Sequence, residues 1–305
     1  MHLPSTNGIQ NMAKPIRILL QTTIPHVEDD WNIQRFSLLH DHLASIRDGR
    51  GVPLYEVTVR DRETNADGND ALLSVLDTTD FAQLWLFAVD TGNGLTVPDC
   101  QGITRFVQRG GGLVTTRDHQ DLGSSLCTLG GVGRAHFFHS QHQDPDSSRH
   151  TRDDPDNETI TWPNYHSGAN GDYQKITPLE PVHELLRDGN RILEYFPAHP
   201  HEGSVGVPDG EERARVIATG VSQATHGPFN LIVAFERRSD NHGNLLGRAV
   251  AESSFHHLVD YNWDTSMRCP SFLTESPGDG IKREPEKLRD VKTYVSNVAR
   301  WLSPA

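Results

Sequence analysis

Three short clusters in this chain of 305 residues gather imidazoles and carboxylates. The first, Arg117-Asp118-His119, follows the run Gly110-Gly111-Gly112-Leu113-Val114-Thr115-Thr116. The second is His199-Pro200-His201-Glu202. The third runs from Ser253 through Phe255-His256-His257 to Asp260 and Trp263. Imidazole beside carboxylate can relay protons or ligate a divalent metal. His199 and His201 share one side of an extended segment, because side chains alternate with period two, and Pro200 stiffens the pair. His199, His201 and Glu202 are therefore the expected metal ligands, with Zn, Fe, Mn or Cu all compatible. Adjacent histidines point opposite ways, so only one of His256 and His257 is expected to enter a site. Asp118, His119, His256 and Asp260 are the expected catalytic groups. Arg117, Trp263 and Asp30 are expected to contact substrate.

Other histidines read differently. His40 and His42 lie two apart on a predicted helix, face apart, and read as solvated. His136, His139 and His142 would stack only in a helix, and the following Gln143-Asp144-Pro145 favours a loop.

The clusters need elements to place them. Ile16–Leu20, Tyr55–Val59, Leu84–Val89 and Leu113–Thr116 read as strands, the third apolar throughout as in a sheet covered on both faces. Between them, Phe36, Leu39, Leu43 and Ile46 recur at helical spacing behind Asp29-Asp30, a candidate cap. Asp70–Leu76 reads as a short helix, and Ile103, Phe106 and Val107 mark a longer one. This alternation predicts a doubly wound, mainly parallel α/β sheet, with helices on both faces and its chemistry at the carboxyl ends of the strands. Asp90 and Asp118 both fall just past strand ends. Residues 136–173 are polar and without period, and read as a long loop insertion. Beyond them, Pro181–Arg187 reads as a short helix. Arg213–Ala218, Asn230–Phe235 and Gly247–Ser253 read as further, partly antiparallel strands. Leu288, Val291, Val295, Val298 and Leu302 form an amphipathic closing helix. A parallel Gly247–Ser253 strand would deliver His256 to the crevice. One domain is expected over 15–305, after a disordered tail of residues 1–14.

A net charge of −13 argues against nucleic acid or an anionic membrane as partner. Three scattered cysteines do not make a disulfide framework. No apolar run has transmembrane length, and Met1–Lys14 lacks the apolar core of a secretory signal, so a cytoplasmic, reduced protein is expected. The sequon Asn157-Glu158-Thr159 is accordingly read as chance. A homo-oligomer is left open.

A glycine triplet before a buried strand, preceded by an apolar strand ending in an acid, resembles the class I glutamine amidotransferase-like superfamily. The likeness is greatest to its ThuA-like (trehalose utilisation-like) branch, over roughly 15–130 and 213–263. Amidotransferases carry Cys at the turn after this strand, whereas this chain has Asp118-His119. Cys127 lies about two helical turns further on, among leucines, and is expected to be buried and unreactive, so glutaminase activity is disfavoured. The resemblance implies an enzyme with a metal or His/carboxylate site at the carboxyl edge of the sheet. It also implies a small polar, carbohydrate-like substrate and no nucleotide cofactor; hydrolysis is the expected reaction, with redox or isomerase chemistry at the same centre left open. The alternative is a non-catalytic binding or assembly protein that keeps the fold and lacks the nucleophilic Cys.

Overall fold

A computed structural model describes residues 14–153, 159–239, 243 and 245–304. All but Lys14 of the expected tail, and Asn157-Glu158 of the sequon, lie outside these residues. Alternation along the first strand, β1 (Ile16–Thr22), already divides the molecule into two cores. Ile18 and Leu20 pack on one face of the sheet and Leu19 on the other. The strands β2 (Tyr55–Arg60), β3 (Gln83–Phe87) and β4 (Gly112–Thr116) follow as expected. The eight-stranded sheet has the order β2-β1-β3-β4, then Ala249–Glu252, Pro228–Phe235, Ala214–Val221 and Thr177–Pro178. Its first five strands are parallel. The remaining pairs are antiparallel.

Helices cover both faces, since each wholly buried strand has two apolar sides to shield. On one side, α1 (Ser37–Ser45) and the C-terminal helix Leu288–Trp301 bury Leu39, Leu43, Val291, Val295 and Val298 against Trp85 and Phe87. On the other, α2 (Val97–Gln108) buries Ile103, Phe106 and Val107 against Leu84, Leu86 and Leu113. Thr96 and Asp99 form a reciprocal capping box at the start of α2, satisfying two of its free N–H groups. Gly110, at φ +95°, turns the chain into β4 in a conformation other residues rarely adopt. Among the described residues no helix is long and apolar enough to cross a membrane.

Several local expectations change. The cap before the 3-10 turn Ile33–Phe36 that leads into α1 is Asn32, whose side chain accepts from the Gln34 N–H, and Asp29-Asp30 do not serve. The expected helices at Asp70–Leu76 and Pro181–Arg187 are 3-10 turns, Leu73–Thr78 and Glu184–Leu186. Of the 136–173 insertion, the described part is pinned to the body. His136–Phe137 pairs with Ser204–Val205, and Tyr165 exchanges both backbone hydrogen bonds with Glu202. His42 is not solvated, because its Nε2 reaches Ser296 Oγ and the Lys292 carbonyl on the C-terminal helix.

Candidate active site

The site forms at the carboxyl ends of β4 and the Ala249–Glu252 strand, a parallel pair that brings Thr116 beside Glu252. Asp118 follows the first strand, and the 3-10 turn Phe255–His257 follows the second. The 199–203 segment wedges between them. A Cβ on Gly203 would lie 2.5 Å from the Asp118 carbonyl and 2.8 Å from that of Ser253, so only glycine fits without displacing backbone. Three sequence-distant clusters are thereby brought together.

Asp118 lies at the centre. His199 Nε2 is 3.2 Å from its Oδ1, His256 Nε2 3.4 Å from its Oδ2, and His119 Nδ1 3.4 Å from Oδ1. The His199 and His256 rings stack in parallel, 3.5 Å between centroids, so both Nε2 atoms face the same carboxylate. His201 joins the group, its ring 5.0 Å from that of His119 and 5.5 Å from that of His199. Its Nε2 lies 3.3 Å from Glu275. His119, His199, His201 and His256 therefore converge. Burial opposes the charge of Asp118, but His119 and then His256 more than offset it and hold the carboxyl well below its usual range. Burial, then the neighbouring His256, pushes His199 far below ordinary imidazole, so this ring is neutral at pH 7. Asp118, His199 and His256 each offer one ligand atom, all within 4.8 Å of one another. An ionised carboxylate facing a neutral, buried imidazole fits a divalent cation. Trp31 packs its edge against His256 at 4.7 Å and closes that wall.

The remaining expected residues lie elsewhere. Glu202 points away from His201 into a second, wholly buried network. Gln174 Nε2 donates to its Oε1 at 2.6 Å, Ser167 Oγ to Oε1 at 2.9 Å and Ser253 Oγ to Oε2 at 2.8 Å, with His257 Nε2 at 3.0 Å. His257 also faces Glu252 at 3.5 Å, and Tyr294 donates to that carboxylate. Burial opposes protonation of His257, but Glu202 and Glu252 outweigh it and raise its pKa to about 10. His257 is thus an imidazolium between two carboxylates. Asp260, expected to be catalytic, accepts from the Ser37 and Leu38 N–H groups and caps α1. Trp263 is buried and donates to the His257 carbonyl. Arg117 is fully buried, donating to the Phe137 and Gln120 carbonyls and stacking on Phe138, so it is in no position to meet a substrate. Asp30 accepts from the Trp31 N–H. Asp90 holds the Gly92 and Ser125 N–H groups. His136, His139 and His142 disperse to Thr115, the Trp162 carbonyl and the Arg134 carbonyl. Cys127 is half-buried rather than buried, and burial pushes its thiol up to about 11.

The sequence reading did not single out Asn170, Asn262 or Glu275. Asn170 and Asn262 sit behind His199, and nothing in their local sequence marks them. Glu275 lies in a stretch without helix or strand, 264–279.

No protein-family model matches the chain, and no curated protein matches it in sequence. Among solved structures, the mmIFT52 N-terminal domain superposes with a TM-score of 0.52 at 13% identity, over 94% of this chain and 98% of that domain. That likeness shows a shared fold. The cytoplasmic protein STM3548 from Salmonella typhimurium follows at TM-score 0.48 and 9% identity, covering 95% of this chain and all (100%) of that one. A ThuA-like protein from Bacteroides uniformis gives 0.45 and 10%, over 99% of this chain and 95% of its own.

Proposed function

We propose that the chain is a metal-dependent hydrolase of a small polar substrate. The observation that carries this reading is the buried group Asp118, His199 and His256, whose ligand atoms face one another within 4.8 Å. A divalent cation held there would supply Lewis acidity toward a substrate oxygen or water. Asp118, ionised by its surroundings, serves as an anionic ligand rather than a proton donor. Proton movement falls to the more exposed members of the group. The side chain of His119 is 18% exposed and that of Glu275 38%, against 1–2% for His199 and His256. His119 is the base we favour, with Asp118 orienting its Nδ1. The carbohydrate-like character of the substrate rests on the sequence resemblance alone.

Elemental analysis of purified protein is the first test. About one equivalent of metal is expected, together with hydrolysis of some members of a panel of small polar esters, lactones and glycosides. Chelation should abolish that activity and metal should restore it. Absence of metal, with the histidines dispensable for every measured property, would favour the binding-protein alternative.

A further inference from the structure

Behind His199 stands a relay of two buried amides. Asn262 Nδ2 donates to the Ala198 carbonyl at 2.8 Å, which fixes which end of that amide is nitrogen. The same nitrogen donates to Asn170 Oδ1 at 3.0 Å, which fixes the second amide. With Asn170 turned over, two N–H₂ groups would face each other. Asn170 Oδ1, an acceptor only, then lies 2.9 Å from His199 Nδ1. That nitrogen must therefore carry the ring proton. In the neutral ring Nε2 is left bare, and it faces the Asp118 carboxylate at 3.2 Å. A proton relay of the kind in which a carboxylate orients a basic imidazole needs N–H toward the carboxylate, and this geometry supplies the reverse. Two lone-pair donors pointed at each other are an arrangement for a cation.

We infer that Asn170 and Asn262 are positioning residues that set the Nδ1–H tautomer of His199 and so reserve its Nε2 for a metal. The inference rests on the metal-site reading above, and it selects that reading over metal-free His/carboxylate catalysis. A hydrogen-bond acceptor behind a ligating imidazole fixes its orientation and raises its basicity, and removing one typically weakens metal binding 10–100-fold.

The test uses the full chain. In the metal-free protein carrying ¹⁵N-labelled histidine, with the His199 signals assigned by their loss in His199→Gln, Nδ1 should be protonated and Nε2 bare. A protonated Nε2 overturns the relay. Zn²⁺ affinity is then measured by competition with a chelating dye. Asn170→Ala should bind about 10–100-fold more weakly than the parent. Asn170→Asp, which keeps the acceptor, should recover the parent affinity, and Asn262→Leu, which frees the Asn170 amide to turn, should fall between. Equal affinities for the parent and Asn170→Ala would overturn the relay and leave the metal site standing. A parent that binds no Zn²⁺ would overturn the metal site itself, and the nitrogen shifts would still decide the relay. Should Asn170→Ala fail to fold, the shifts and the Asn170→Asp and Asn262→Leu affinities carry the decision.

Discussion

Replacing His257 with alanine strips the imidazolium from between Glu202 and Glu252, both wholly buried. Breaking a buried ion pair by removing one partner costs roughly 3–5 kcal/mol, because the other charge stays behind without compensation. Glu202 keeps its donors from Ser167, Gln174 and Ser253. Hydrogen bonds to charged groups are worth about 1.5–3 kcal/mol each, so the loss should lie toward the lower bound, about 3 kcal/mol. At about 2–4 °C per kcal/mol, that is roughly a 10 °C fall in melting temperature. Urea unfolding at pH 7 reads the same quantity. Adding Glu202→Gln removes one of the stranded charges, so the double variant should cost less than the sum of the singles by about 2 kcal/mol, in the range seen for residues in contact. The pH dependence has a fixed sign. His257 is raised in the folded chain, so its contribution is complete below the unfolded value near 6.5 and fades as pH climbs through about 10. The gap between parent and His257→Ala should therefore narrow between pH 7 and 10. Additive single variants, or a gap that stays constant up to pH 10, would refute the reasoning.

Three further outcomes are expected. His199→Ala and His256→Ala should each lose bound metal, while His201→Ala, which leaves the three clustered ligand atoms of Asp118, His199 and His256 in place, should retain it; elemental analysis of the three proteins decides. Asp260→Ala should lower stability by about 1–2 kcal/mol, as for loss of a helix cap, with metal content unchanged; a loss of metal would return Asp260 to the site. Native Cys127 should react slowly with iodoacetamide at pH 7.5 and faster as pH rises toward about 11, where burial has placed its thiol; rapid labelling at pH 7.5 would revive a thiol mechanism.

The sheet was legible because β1, β3 and β4 each carry a short apolar stretch buried on both sides, Ile18–Leu20, Leu84–Phe87 and Leu113–Val114. The convergence of His119, His199, His201 and His256 was legible because strand ends in such a sheet share one edge. Period-two alternation placed His199 and His201 together, whereas His256 and His257 part because they occupy successive positions of a 3-10 turn. The same rule, carried one residue further, turns Glu202 away from His201, which is where the structure has it. Asp260 and Trp263 were misread because His256 lies in a 3-10 turn and a short helix, Asp260–Trp263, follows it, so residues beyond it point back into the body. Arg117 was misread because a guanidinium beside an active carboxylate can be satisfied by backbone carbonyls, and its sequence neighbours do not show those carbonyls. Asn170 and Glu275 act across the tertiary fold, with no local pattern to reveal them.

The wedge of Gly203 between two strand ends has a consequence for how the chain matures. Asp118, His199 and His256 sit on three separate stretches, which meet where the Ala249–Glu252 strand lies beside β4 with Gly203 between the strand ends. A growing chain on the ribosome thus carries Asp118 and His199 before the histidine that completes the group. A metal held by the finished site, as proposed above, would bind the native state in preference to the unfolded chain, so its affinity would add to the free energy of folding. Cellular metal supply would then set how much of this protein survives degradation, as well as how much of it is active.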